Sequence, residues 1–287
     1  MIDIKNGIKN YYQISDIKLI KKAQKDYIFY TAHEKYYLQF INEYNEKTIY
    51  NSAILYMIYS RFHYGNQTLI YTKNRQLISN INGNKFLLVK FGKNNNCAKN
   101  IVVHNEDENL NVSNWGKLWS NKVDWLESMH KKVLTRNVLA KYIDYFIGLT
   151  ECAIAMFEEE KYNNKDIRLY LQHRRYSRDD YYNTPLNLVV DYRVRDLAEK
   201  IKYNYLYGDH DYTEIEKMVK FGNYTKQEYK LLLIRLMYPS IFFDIYAESI
   251  NDSNYKVNKI IEEKLNNYSK FIKKIRIIIY NYIKKES

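Results

Sequence analysis

Apolar and polar residues alternate in short runs through the first ninety positions, the pattern of half-buried strands. Asp26-Tyr-Ile-Phe-Tyr-Thr31 and Tyr36-Tyr-Leu-Gln-Phe-Ile41, joined by Ala32-His-Glu-Lys35, predict a hairpin, with a strand over Ile17 to Ile20 before it. Between Asn45 and Phe62 the spacing becomes helical and places Ile49, Ala53, Ile54, Met57, Ile58 and Phe62 on one face. Two further strands follow, from Thr68 towards Ser79 and over Lys85 to Phe91, around a turn at Asn80-Ile-Asn-Gly83-Asn84. Residues 92–112 are polar and aperiodic and read as a linker or hinge.

Beyond the hinge the pattern is mainly helical. Trp115, Leu118, Trp119, Val123, Trp125 and Leu126 mark one helix. Leu134 to Glu159 marks a longer one, carrying Val138, Tyr142, Tyr145, Leu149, Ala153 and Met156 at helical spacing. Thr213 to Glu216 and Thr225 to Glu228 have the form of capping boxes, and Pro239 ends the helix that the second one starts. At the end of the chain Ile261, Leu265, Tyr268, Ile272, Ile275, Ile279 and Tyr282 alternate steps of four and three, predicting an amphipathic helix over 255–285. Packing on its own helical lobe is the leading reading of that stripe, ahead of a coiled-coil partner and a membrane-surface helix.

The order of elements predicts an α+β fold with a β-rich lobe over 1–91, a hinge over 92–112 and a helical lobe over 113–287. Two Pro and eight Gly argue against a long all-β architecture, and no apolar run reaches the length of a membrane span. The first residues lack the basic-then-apolar order of a secretory signal, and Cys97 and Cys152 stand too far apart for a metal or redox motif. These features fit a reducing cytoplasm, and Cys152 is expected to be a buried, inert thiol. The 32 Tyr against 11 Phe are read chiefly as compositional drift.

The net charge of +12 is uneven: residues 255–287 contribute +6 and residues 161–178 contribute +5. No zinc-finger, helix-turn-helix or RNP signature accompanies the basic patches, so nucleic-acid binding is a minority reading. Asp209-His210-Asp211 with Glu214 has metal-ligand residue types, yet it precedes a capping box and reads more simply as a solvated loop.

One segment carries possible chemistry. Leu169-Tyr-Leu-Gln-His173-Arg174-Arg175 runs an apolar stretch into His, and Leu188-Val-Val-Asp191-Tyr-Arg-Val-Arg-Asp196-Leu-Ala runs a second into Asp before a helix start. This layout resembles the catalytic centre of kinases and aminoglycoside phosphotransferases. Together with Tyr145-Phe-Ile-Gly-Leu-Thr-Glu151-Cys-Ala-Ile154 and Leu233-Ile-Arg235-Leu-Met-Tyr-Pro239-Ser-Ile-Phe-Phe, it makes the chain similar to the kinase-like spore coat family, the CotS and YutH type, of low-GC Gram-positive bacteria. The resemblance spans about residues 15–280. It implies a protein-kinase-like fold of two lobes, a small antiparallel sheet with one helix and a larger helical lobe.

The departures from that pattern decide the functional expectation. The resemblance places Gln39 where active members carry a phosphate-binding Lys, and a neutral amide cannot supply that charge. It places Arg175 two residues after His173, where active members carry the proton-accepting Asp, and a guanidinium accepts no proton at neutral pH. Asn183 or Asn187 would stand at the metal-binding Asn, and Asp191 at the metal Asp or at a structural position. Asp196, at a helix start, corresponds to the residue that anchors the catalytic loop.

The expectation is therefore a pseudokinase, a binding or scaffold module in sporulation, with a protein partner of the spore coat and no cofactor. A second reading is a diverged small-molecule phosphotransferase using ATP and magnesium through Asp191, with Asp179 or Asp180 as base. A third is a basic adaptor that holds an anionic surface or nucleic acid through Arg174, Arg175, Arg178, Arg193 and Arg195. The competing structural reading pairs Arg193 and Arg195 with Asp179, Asp180 or Glu199. Localisation is expected to be cytoplasmic, in the mother cell, or on the forespore or spore coat.

Overall fold

The computed structural model describes residues 4–23, 25–62, 67–92, 101–103, 110–133, 138–162, 167–208, 210–251 and 256–285. Most of the expected hinge, with Cys97, and Asp209 of the His210 loop lie outside them. The chain forms two compact units, Met1–Asn111 with Ser177–Val190, and Val112–Tyr176 with Asp191–Ser287.

The first unit is built on an antiparallel sheet of β1 (Leu19–Ala23), β2 (Asp26–Tyr30), β3 (Lys35–Phe40), β4 (Thr68–Ile70), β5 (Ser79–Ile81) and β6 (Asn84–Phe91). The order is β1-β2-β3-β6-β4, and β5 also pairs with β6. The β5–β6 hairpin closes through Asn82 and Gly83, both at positive φ (51° and 80°), the left-handed pair that a two-residue hairpin loop requires.

Strand alternation divides the sheet's side chains between two clusters. Leu38, Phe86 and Leu88 pack with Ile4, Ile8 and Tyr12 of α1 (Ile4–Tyr11) and the residue after it. Leu87 packs with Ile49 and Ala53 of α2 (Glu46–Phe62) and with Leu186. The sequence reading did not include α1, whose whole apolar signal is Ile4, Ile8 and Tyr12. The helix sits so close to β5 that a Cβ on Gly7 would stand 2.2 Å from the Ile81 Cγ2.

The buried face of α2 also differs from the sequence pattern. Ile49, Ser52, Ala53, Leu55, Tyr56 and Tyr59 are buried, while Ile54, Met57 and Phe62 are exposed. Apolar residues surround this helix on all sides, so periodicity alone cannot pick the face.

Residues 177–190, read from the sequence as part of the helical lobe, belong with the sheet. Besides the Leu186 contact, Tyr59 donates to Asn183 Oδ1 at 2.8 Å and Gln39 donates to Thr184 Oγ1 at 3.0 Å. Val190 N–H donates to the Leu110 carbonyl at 3.1 Å.

The second unit contains α3 (Trp115–Val133), a 3₁₀ turn at Val138–Tyr142, α4 (Ile143–Tyr162), β7 (Leu169–His173), α5 (Arg195–Tyr207), α6 (Tyr212–Gly222), α7 (Lys226–Met237), α8 (Ser240–Asn251), α9 (Lys259–Asn266) and α10 (Tyr268–Lys285). The unit boundary falls inside β8 (Leu188–Tyr192). One hydrophobic core runs through this unit, with Trp115, Trp119, Phe146, Phe157, Ile201, Leu232, Phe242 and Ile275 among its members. On α4 the buried stripe is Ile143, Phe146, Ile147, Thr150, Ala153 and Phe157, and Tyr145 is exposed. Cys152 lies on the exposed side, against the expectation of a buried thiol.

Thr225 starts α7 with a complete capping box: its side chain accepts from Glu228 N–H, and Glu228 returns a bond to the cap. For α6 the cap is Asp211, which accepts from Thr213 N–H at 2.8 Å, rather than the expected Thr213 box. The C-terminal heptad stripe is buried as a face within the unit's own core, but the helix is not continuous. It breaks at Asn267 (φ −95°, ψ 6°) into α9 and α10.

This packing gives an expected outcome. Ile275 is fully buried and Ile277 is 61% exposed. Denaturant unfolding of Ile275→Ala should show a loss of about 2–5 kcal/mol, while Ile277→Ala should change stability by no more than about 0.5 kcal/mol. Equal effects would mean that α10 does not present this face to its own unit.

Candidate functional site

The His173 end of β7, the Asp191 end of β8 and the start of α5 converge in the second unit. Asp196, in the first turn of α5, accepts a bond from the His173 backbone N–H on Oδ1 at 2.7 Å, and its Oδ2 lies 2.8 Å from His173 Nδ1. Its own backbone N–H donates to Gln172 Oε1 at 3.0 Å. A carboxylate in the first turn of a helix is favoured by the helix dipole, and these donors fix its direction. Asp196 is half-buried, with 29% of its side chain exposed.

Asp191 is the fully buried carboxylate. Trp115 Nε1 donates to it at 3.0 Å and Tyr192 N–H at 2.7 Å, both on Oδ1. Arg195 Nη1 donates to Oδ2 at 2.5 Å. Burial raises the pKa of this carboxyl, opposed by the charges of Arg195 and Arg235 and by the Arg195 and Trp115 bonds.

Arg195 also donates from Nε to the His173 carbonyl at 2.8 Å and from Nη2 to the Arg174 carbonyl at 3.1 Å. One guanidinium thus ties the loop after β7 to the end of β8. Its hydrogen bonds go to Asp191 and these two carbonyls rather than to Asp179, Asp180 or Glu199.

The other sequence-selected residues have internal commitments as well. Arg175 donates from Nε and Nη2 to the two oxygens of Asp244, at 2.5 and 3.0 Å, and from Nη1 to the Arg174 carbonyl. Burial works against its charge, but Asp244 outweighs burial and raises its pKa above the ordinary arginine value. Arg193 pairs with Glu228 and donates to the carbonyls of Gly222 and Asn223, closing the α6–α7 connection. Arg174 is half-buried and Arg178 exposed.

In the first unit, Gln39 is 2% exposed and opposite Leu87 in the β3–β6 register. Asp179 caps the 3₁₀ turn Asp180–Asn183 by accepting from Tyr181 N–H, and Asp180 pairs with Lys35 at 2.5 Å. Asn187 is buried and donates to the Tyr182 carbonyl at 3.0 Å.

Sequence reasoning missed a second buried charge cluster close to these residues along α5. Glu199 accepts from Lys202 at 2.8 Å, from Arg235 Nη2 at 2.7 Å and Nε at 2.9 Å, and from Ser240 Oγ at 2.9 Å. Burial raises the Glu199 carboxyl, but Lys202 and Arg235 outweigh it and hold the group well below the usual carboxylate range. Burial pushes the Lys202 amine down to about 7 despite Glu199. The sequence signal was the i,i+3 pair Glu199–Lys202, which is indistinguishable from a surface helix pair.

These residues do not fit a divalent cation. Both Asp191 oxygens already accept from protein donors, a guanidinium stands against Oδ2, and no group of three His, Cys, Asp or Glu able to hold a metal occurs among the described residues.

The sequence model of the family described as "Spore coat putative kinase YutH" matches residues 5–280. The chain belongs to this family. The endospore coat-associated protein YutH of Bacillus subtilis is 24% identical over a match that covers 54% of this chain. That match spans about half of the relative's own length, 51%.

Two solved structures share the fold. An aminoglycoside phosphotransferase from Alicyclobacillus acidocaldarius superposes with a TM-score of 0.56 at 8% identity, covering 98% of this chain and 95% of its own. A spectinomycin phosphotransferase superposes with a TM-score of 0.50 at 13% identity, covering 98% of each chain. The fold is kinase-like and α+β, as the order of elements predicts.

The geometry makes Asp191, rather than the loop anchor Asp196, the carboxylate whose loss costs more. Asp191→Asn should lower the unfolding free energy by about 3–5 kcal/mol, since it leaves Arg195 buried without its counter-charge. Asp196→Asn should cost about 1–3 kcal/mol, because its partners are backbone and imidazole groups at a half-buried position. Chemical denaturation of the two variants decides between the orders.

Proposed function

We propose that this chain is a kinase-like protein without phosphotransferase activity, retained as a binding or scaffold module in spore formation and acting in the sporulating cell or on the spore coat. The observation that carries the reading is Arg175. It stands two residues after His173, where a phosphotransferase of this fold needs a proton acceptor, and its guanidinium is held by both oxygens of Asp244. A side chain that is permanently protonated and fixed by a two-point bond cannot take the proton of an attacking hydroxyl.

Gln39 supports the same reading. Its amide is bonded to Thr184 and brings no positive charge to a phosphate. Asp191 adds to it, since its charge is balanced by Arg195 within the protein. The sporulation setting rests on the family and on the Bacillus subtilis relative.

The absence of a metal-loaded phosphate site has a direct readout. Mg-ATP and Mg-GTP at millimolar concentration should leave the melting temperature unchanged. A site filled at a hundred times its dissociation constant would stabilise the protein by about 2.7 kcal/mol, a shift of several degrees. A saturable, magnesium-dependent rise would instead support a diverged phosphotransferase.

A further inference from the structure

The outer face of α10 carries charge of one sign. Its 18 residues include Lys270, Lys273, Lys274, Arg276, Lys284 and Lys285, all exposed, and no Asp or Glu. The chain as a whole holds 33 Asp and Glu against 45 Lys and Arg, so a lysine-rich composition does not by itself empty a helix of acids. Several surface lysines elsewhere are paired, among them Lys25 with Glu43, Lys90 with Glu34, Lys141 with Glu262 and Lys230 with Glu160. Among the described residues, none of the six basic side chains of α10 forms an ion pair with a carboxylate, although Glu263 of α9 lines the same surface hollow as Lys270.

The arrangement of these charges is specific. Successive residues of a helix are turned by about 100°, which puts Ile277 opposite Ile275 and Ile279, the residues that enter the core. Ile277 is 61% exposed. Lys273 and Lys274 stand one turn before it, and Lys270 and Lys284 two turns to either side, so four ammonium groups surround one apolar side chain. Their contacts leave the charge uncancelled: Lys270 donates to the Asn267 amide oxygen at 3.1 Å, and Lys274 lies over the Tyr212 ring at 5.9 Å. Arg276 is turned aside, with its guanidinium 5.2 Å from the Tyr280 ring centre.

We propose that the face of α10 formed by Lys270, Lys273, Lys274, Ile277 and Lys284 docks this protein on an anionic phospholipid surface. Charge complementarity selects an anionic partner. Shape selects a flat one, because the face is the convex side of a helix whose other side is filled by the core. Lysines bring single charges on flexible stems, which suit laterally mobile headgroups, and those stems can lie along the interface while Ile277 enters it. A nucleic-acid strand is held instead by arginine forks and stacked aromatic rings, and the one arginine of α10 lies off this face. Clusters of about four to eight basic residues are the size that an anionic leaflet retains. The contact is peripheral and reversible, since no described helix is long and apolar enough to cross a membrane. This docking goes beyond the scaffold reading and holds whether or not the chain transfers phosphate.

The experiment is flotation of the full chain with two kinds of vesicle, pure phosphatidylcholine and phosphatidylcholine with a third of its lipid replaced by phosphatidylglycerol. The wild type should float only with the anionic vesicles, and concentrated NaCl should release it. Lys270→Gln/Lys273→Gln/Lys274→Gln should weaken partitioning at least about ten-fold. The same charge removed from exposed positions of α1 and α2, by Lys5→Gln/Lys9→Gln/Lys47→Gln, should weaken it by no more than about two-fold. Ile277→Asn should weaken partitioning with every lysine in place, and Ile277→Trp should strengthen it. All of these positions are exposed, so melting curves should match the wild type and exclude unfolding as the cause.

Equal binding to both kinds of vesicle would overturn the proposal, because charge would then play no part. Equal losses in the two triple variants would overturn it as well, since net charge and not this face would hold the lipid. A chain that floats with neither vesicle overturns it too, and its retention on immobilised polyglutamate would then assign the face to an acidic protein.

Discussion

A carboxylate removed from water must meet a positive charge or a set of donors, and the fully buried Asp191 imposes that requirement on everything around it. Arg195 meets it. Because this guanidinium has donors left after one bond to Asp191, it also captures the His173 and Arg174 carbonyls and so fixes the path of the chain after β7. Trp115 supplies the second bond to the carboxylate, and its ring lies in a stack with Trp119 that continues to Tyr238. One electrostatic constraint thereby joins β8, α5, the His173 loop and the aromatic core of the second unit.

The same logic extends through the neighbouring charges. Arg235 and Lys202 share Glu199, and Arg175 holds Asp244. Four cations therefore face three carboxylates, Asp191, Glu199 and Asp244. Arg235 lies close to the rings of Trp115, Trp119 and Tyr238, where aromatic faces offset part of the excess positive charge. Such a network is costly to desolvate and specific in its geometry, and it binds each charged side chain of the region to another part of the protein. Arg175, Asp191 and Arg195 are all engaged in it.

The parts legible in the sequence were those with local physics. The β2–β3 hairpin, the Asn82-Gly83 turn, the Thr225 capping box and the heptad face of the last helices each follow from a short-range rule. The His173 and Asp191 segments were also recognisable, because an apolar run ending in a polar residue marks a strand that delivers a side chain. The parts that were not legible depend on distant partners. Arg193 had several carboxylates within sequence reach, and its real partner, Glu228, follows only from how α6 and α7 come together beside it; Asp191 is only four residues from Arg195, but the pair depends on the chain turning from β8 into α5. The buried face of α2 and the exposure of Cys152 are decided by which side of a helix with apolar residues on several faces meets a neighbour. In the same way, Glu199–Lys202 has the spacing of a surface pair, and only the packing of α7 and α8 over it makes it a buried one.

The central claim is that the Asp191–Arg195 bond is an energetic unit and not an incidental contact. A double-mutant cycle with Asp191→Asn, Arg195→Met and the pair, read by urea unfolding, measures this most directly. The account predicts that each single change is severely destabilising and that the double variant recovers much of the loss, with a coupling energy of at least about 2 kcal/mol. Additivity within about 0.5 kcal/mol would show that the two side chains act independently, and would contradict it.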